Sequence, residues 1–372
     1  MKKNLRNVLA LALGLMTTVS FAQDWDIDSR TRIDMSGDGD RQETDQRATL
    51  GATWGGSNWG IHVSSDLNYR LGVDGDNLKM DIYEAYASTD LMGYANMTIG
   101  RQALEYGSGA IVGKNDWAST DRNTVDGATF DISNDMLDLT LGLANRSTDD
   151  AVGGNHGTDS AFGGSTNGMW LNAGKAEGDW SINVLYLATG ANDDDANDVT
   201  AMGIDLGYSM MGGALDISAS LNSGSTATTD YDMTSYGATY NVNDNMSVNG
   251  TMTSYGENGF LLGGSGNIGY GANSWMTHGN LGHLGANQED MAFGISYDMG
   301  GISLGATMHS ISDNTDDAAG STTYADYERS VTEVSLGYNI SDNAGLSLKY
   351  ATDKTNDDDE ATYMWLTLSV TP

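Results

Sequence analysis

The chain has 372 residues, with 49 glycines, no cysteine and a formal net charge of −34. That acidity excludes nucleic acid as a partner, and the lack of cysteine excludes a disulfide framework. After the N-terminal segment no apolar run approaches the ~20 residues of a spanning helix, which excludes a helical membrane protein.

Residues 1–22 have the form of a secretory leader. Lys2, Lys3 and Arg6 precede an apolar run from Val8 to Met16, and Ser20-Phe21-Ala22 places small residues where a signal peptidase reads. Cleavage after Ala22 is expected, leaving residues 23–372 with 14 bases against 51 acids, a net charge of −37. The single proline is the last residue, Pro372, so no proline removes a ladder donor from a sheet.

From there on the pattern has period two. Trp59, Ile61 and Val63 alternate with Gly60, His62 and Ser64; Leu137, Leu139, Leu141 and Leu143 with Asp138, Thr140 and Gly142; Ile302, Leu304, Ala306 and Met308 with Ser303, Gly305 and Thr307. Each run is about ten residues, the length of a tilted membrane-crossing strand. No long segment carries helical periodicity. Strands are expected over 24–35, 46–55, 59–70, 79–89, 95–103, 123–132, 137–146, 168–176, 179–189, 199–209, 214–222, 231–241, 246–255, 290–298, 301–311, 329–339, 344–352 and 361–370. Residues 256–289 have room for a further hairpin.

The connectors alternate in kind. Short turns such as Gly55-Gly56-Ser57-Asn58, Glu177-Gly178-Asp179 and Ser341-Asp342-Asn343 alternate with long acidic loops such as 36–45, 104–122, 147–167 and 312–328. The expected fold is therefore all-β: a transmembrane antiparallel barrel of about 18 strands in the bacterial outer membrane, with short periplasmic turns and long outer loops. That strand number leaves an aqueous lumen, and closure pairs every strand edge. Trp25, Trp59, Tyr69, Trp180, Tyr297 and Trp365 suit aromatic girdles at the interfaces. Two strands break the alternation: Leu185 and Leu187 oppose Ile182, Val184 and Tyr186, and Trp365 opposes Leu366.

With apolar parity facing lipid, Arg30, Arg32, Arg47, Arg70 and Arg146 face the lumen. Ten of the fourteen mature bases lie between residues 24 and 146, so one wall concentrates arginine among Asp28, Asp66 and Asp138. Such a wall either guides an anionic solute or pairs internally and stiffens the barrel. The acid runs Asp193-Asp194-Asp195, Asp313–Asp317 and Asp357–Glu360 fall in outer loops, where they are either solvated or hold divalent cations beside lipopolysaccharide. No enzyme and no cofactor is expected. His62, His156, His278, His283 and His309 form no zinc motif, and no serine sits in a nucleophile elbow.

The stretch "GRQALEYGSGAIVGKNDWASTDRNTVDG", from Gly100 to Gly127, joins a strand to a glycine-dotted loop long enough to fold into the mouth. Parity groups Arg101 with Met97 and Ile99, on the lipid side unless a bulge intervenes. The stretch resembles the signature of the alginate-export family of outer-membrane barrels at Gly100, Arg101, Gln102, Leu104, Tyr106, Gly107, Gly113, Asp116, Trp117, Arg122 and Asp126. "YEAYAS", residues 83–88 with Glu84, resembles the strand preceding it. The resemblance implies an eighteen-stranded channel for an anionic polysaccharide, with Arg101, Arg122 and Asp126 at the constriction beside Gln102, Asp116 and Glu84. The function expected is passive passage of polar solutes, anionic oligosaccharides among them. The alternatives are a general cation-preferring porin and a non-conducting adhesin or receptor barrel.

Overall fold

The structure, a computed structural model, describes residues 22–36, 43–72, 78–112, 124–134, 136–145, 167–190, 199–260, 284–313, 328–356 and 359–371. Of the expected leader, residues 1–22, residues 1–21 lie outside the described residues, and strand β1 begins at Ala22.

Eighteen strands follow in chain order. The first nine are β1 (Ala22–Asp34), β2 (Glu43–Gly55), β3 (Trp59–Leu71), β4 (Lys79–Asp90), β5 (Asn96–Gln102), β6 (Val125–Ser133), β7 (Asp138–Asn145), β8 (Asn167–Glu177) and β9 (Trp180–Gly190). The second nine are β10 (Val199–Met210), β11 (Leu215–Ser225), β12 (Asp230–Asn243), β13 (Met246–Tyr255), β14 (Gln288–Asp298), β15 (Ile302–Asp313), β16 (Glu328–Ser341), β17 (Ala344–Thr355) and β18 (Ala361–Val370). Each pairs antiparallel with its sequence neighbours, and β1 closes on β18 through Ser29↔Val370 to Asp34↔Trp365. The sheet therefore has no free edge, the condition lipid imposes on a backbone. Direct pairing of β13 with β14 excludes a strand between them in the wall. The connector between the expected strands 214–222 and 231–241 shrinks to 226–229, because β11 runs on to Ser225 and β12 starts at Asp230.

The register sorts side chains as the alternation predicts. Leu50, Ile61, Val63, Ile99, Leu141, Leu143, Leu206, Ile295 and Leu304 stand exposed on the outer face. So do Trp25, Trp59, Tyr69, Trp180 and Tyr297 from the expected girdles. Trp365 does not join them. It pairs opposite Asp34 on the inward parity, is only 7% exposed, and stacks on Tyr363 at 5.6 Å. The apolar outward residue of that pair of neighbours is Leu366.

The wall is uneven. Strand β5 has seven residues where β12 and β16 have fourteen. Where β5 stops at Gln102 the chain leaves the wall and turns inward.

Candidate functional site

Residues 103–112 cross the lumen. The backbone N–H of Ala103 donates to Glu84 Oε1 at 3.0 Å, which fixes the point of departure on β4. Gly109 N donates to the Tyr106 carbonyl and Tyr106 N to the Val112 carbonyl, closing a compact turn. Its tip is held by the far wall: Ser108 N donates to Asp205 Oδ2 at 2.9 Å, and Ser108 Oγ lies 2.9 Å from Ser220 Oγ. Ser220 in turn donates to Asp205 Oδ1, and Asn222 Nδ2 donates to Ser220. Asp205 is on β10 and Ser220 on β11, five and six strands along the wall from β5. Gly107 makes the docking possible. Its φ is +58°, and a Cβ there would lie 1.9 Å from Asp205 Oδ2.

Beside the tip the contact is apolar. Ala110, Ile111 and Val112 are buried in a cluster that includes Val125, Trp170, Leu185, Leu187, Val199 and Ala201. This accounts for the strand that reads apolar on both faces: Leu185 and Leu187 point inward, under the loop, while Tyr186 stands exposed outside. Trp170 fits because Gly142 opposite it has no side chain; a Cβ there would sit 1.8 Å from the indole. The indole N–H donates to Tyr106 OH at 2.8 Å. Burial pushes the Tyr106 phenol up to about 12, against the lowering effect of that hydrogen bond. The same cluster continues to Met233, Tyr255, Phe260, Leu284, Ile311 and Val331 at the roots of the loop between β13 and β14.

The opposite wall is charged. Arg30, Arg32, Arg47, Arg70 and Glu84 all carry the inward parity in the register of β1 to β4. Arg47 is buried, Thr49 Oγ1 donates to Asp66 at 2.6 Å, and Arg70 bridges Asp45 and Glu43. His62 stacks on Tyr86, meets Thr53 Oγ1 at 2.8 Å, and places Nε2 3.7 Å from Glu84. Beyond β18 the pairs continue with Arg329–Asp353, Lys349–Glu333 and His309–Asp290. The arginines thus sit among acids rather than as a bare basic strip, and along the described strands inward acids outnumber inward bases.

Gln102 is buried on the inward parity, accepting from Thr129 Oγ1. Arg101 and Asp126 are not at the constriction. They pair directly across β5 and β6, with no register shift between those strands, on the parity of Met97, Ile99, Ala128 and Phe130, which is the outer one. The bulge that β4 does contain, between Ser64/Glu84 and Ser65/Ile82, lies on the neighbouring strand and does not turn Arg101 inward. Asp116, Arg122 and Arg146 lie outside the described residues, as do most of the acid runs Asp193–Asp195, Asp313–Asp317 and Asp357–Glu360. Asp205, Ser220 and Trp170 were not singled out in the sequence. Their only mark is inward parity on strands that otherwise read as ordinary wall.

No protein-family model matches the chain, and no curated protein matches it in sequence. Solved structures do match in shape. Pseudomonas aeruginosa OccK5 (OpdH) is similar with a TM-score of 0.70 at 14% identity, over 94% of this chain and 97% of that one. The outer membrane protein OprD of the same organism gives 0.69 at 11%, over 95% and 94%. The fold is that of these outer membrane proteins. Pseudomonas aeruginosa OpdK, solved with vanillate, is similar over 95% of this chain and its own full length, with a TM-score of 0.73 at 12% identity. At such identities the likeness concerns architecture, and the chemistry has to come from this chain's own side chains.

Proposed function

We propose that the chain is a passive outer-membrane channel for small polar solutes, without catalytic activity. The observation that carries this is the docked segment 103–112, which narrows a polar-walled barrel and leaves the charged wall of β1 to β4 facing it across the lumen. Eighteen strands enclose more space than side chains fill. A solute passes between the Ser108 side and the arginine side. The arginines offer planar forks to carboxylates, so an anionic group makes its contacts there. The OpdK structure, similar in fold, was solved with vanillate, a small carboxylate. That size suits a lumen crossed by a loop better than an alginate-like polymer does. The resemblance to the alginate-export signature extends to the channel class, while its implied constriction loses Arg101 and Asp126 to the outer face.

A second reading, cation-preferring conductance, has its own support: inward acids outnumber bases, and the whole chain is strongly acidic. Small ions then follow the average field while carboxylate solutes follow the local arginines. Reversal potentials in planar bilayers under a salt gradient test both. The expected result is open-channel current with cation preference, blocked by small carboxylates in wild type and less so in Arg32→Gln. A barrel without conductance would return the protein to the adhesin or receptor class. Acidic outer loops beside lipopolysaccharide, with divalent cations between them, complete the proposal at the cell surface.

A further inference from the structure

We infer that His62 and Glu84 are positioning residues for the loop that crosses the lumen, and that proton uptake by His62 tightens the root of that loop. Glu84 stands between two elements. Its Oε1 accepts from Ala103 N at 3.0 Å, at the point where the chain leaves β5. Its Oε2 lies 3.7 Å from His62 Nε2, beyond hydrogen-bond reach. His62 is buried, and its Nε2 has no hydrogen-bond partner among the described residues. An unpaired buried polar atom costs free energy unless another state of the group pairs it.

The surroundings suit both states of the ring. Thr53 Oγ1 lies 2.8 Å from Nδ1, and a hydroxyl either donates to a bare nitrogen or accepts from a protonated one. Tyr86 stacks on the imidazole with ring centroids 5.0 Å apart, and a phenol face also receives a cation. From β4, Tyr86 and Glu84 face His62. From β2 it meets Thr53, with Arg47 three inward positions away toward the loops. Its own strand carries Asp66, held by Thr49. Asp24 and Asp26 stand on β1 opposite Thr53 and Gly51, one strand farther off. Glu84 is the charge that meets the ring. Histidine changes charge between about pH 5 and 8. As imidazolium, His62 offers Nε2–H to Glu84 Oε2, a charge-assisted bond stronger than the neutral contact it replaces. Glu84 is then held by donors on both oxygens. The carboxylate that anchors Ala103 loses freedom, and the loop root stiffens. The His309–Asp290 pair of β15 and β14 lacks this slack, because Nδ1 already meets Oδ2 at 2.9 Å.

The chain has no cysteine, so a spin label on Glu105→Cys, exposed and just past Ala103, reports the loop root alone. Its rotation, read by electron paramagnetic resonance in lipid, is expected to slow roughly two-fold between about pH 8 and about pH 5.5. Adding His62→Gln should leave the label mobile and insensitive to pH. Glu84→Gln should do the same from the other side of the pair, and either variant suffices if the other does not give the heat-modifiable gel shift of a folded barrel. A His62 that served packing alone would alter mobility equally at both pH values. A label that ignores pH in the parent, or that slows as much in a folded His62→Gln or Glu84→Gln barrel, overturns the inference. None of these readouts needs current, so the positioning role and the channel reading fail separately.

Discussion

The inner faces of β8 to β13 and of β1 to β4 use the same inward parity for opposite purposes. On β8 to β11 the inward positions carry Trp170, Leu185, Leu187 and Ala201, closed over by Ile111 and Val112. On β1 to β4 they carry Arg47, Asp66 and His62, all buried, with Arg30, Arg32, Arg70 and Glu84 half-buried beside them; Thr49 holds Asp66 and Glu84 lies 3.7 Å from His62. An apolar inward patch in a water-filled barrel is a dock, because it gains by burying surface. A charged inward wall is a surface for solute, because its groups keep their hydrogen bonds whether or not solute is present. The lumen thus has one wall that holds the loop and another that carries charge.

The strongest way to break that division is at the tip. Gly107→Val adds a side chain where φ is +58° and where Asp205 already occupies the space. Strain and clash of several kcal/mol should undock the loop, giving the largest rise in single-channel conductance. Next comes Ile111→Ala, which removes a buried side chain from the dock at a cost of about 2–4 kcal/mol. It should increase current fluctuations, measured as open-channel noise. Asp205→Ala leaves Ser108 N and Ser220 without their acceptor, about 1–3 kcal/mol, and should act in the same direction with smaller amplitude.

The pH dependence sharpens the same point. Tyr106 holds its proton to about 12 when docked, while a released phenol ionises near its ordinary value of ~10. The docked state therefore binds the proton more tightly. Its contribution to docking is complete below pH 10 and is lost as pH rises through 12. Tyrosinate absorbance should lose a late-titrating phenol in Tyr106→Phe. The smallest effect is expected on the other wall: Arg47→Gln should leave conductance nearly unchanged and move the reversal potential further toward cations.

The fold was legible because lipid outside and water inside write a period of two into every strand, and long and short connectors mark the two ends. The dock was legible only as a fault. Leu185 and Leu187 broke the alternation, yet nothing local says that a loop from β5, more than seventy residues earlier, fills the space beside them. Trp365 was misplaced for the same reason: its size suited a girdle, and only its register opposite Asp34 turns it inward. Arg101 shows the converse. Its parity pointed outward from the sequence, and the motif around it argued for the pore; the register of β5 and β6 sides with parity. Long-range contacts such as Ser108 with Ser220 join polar residues of no distinctive type, so they leave no trace in one sequence.

Because Ser108 Oγ and Ser220 Oγ are 2.9 Å apart in a cysteine-free chain, Ser108→Cys with Ser220→Cys can lock the loop to the wall. Single-channel recording of that variant, oxidised and then reduced, tests whether the docked loop belongs to the open channel. The disulfide should form readily and both states should conduct like wild type. A pair that never cross-links, or a locked barrel that falls silent and opens only on reduction, would contradict it.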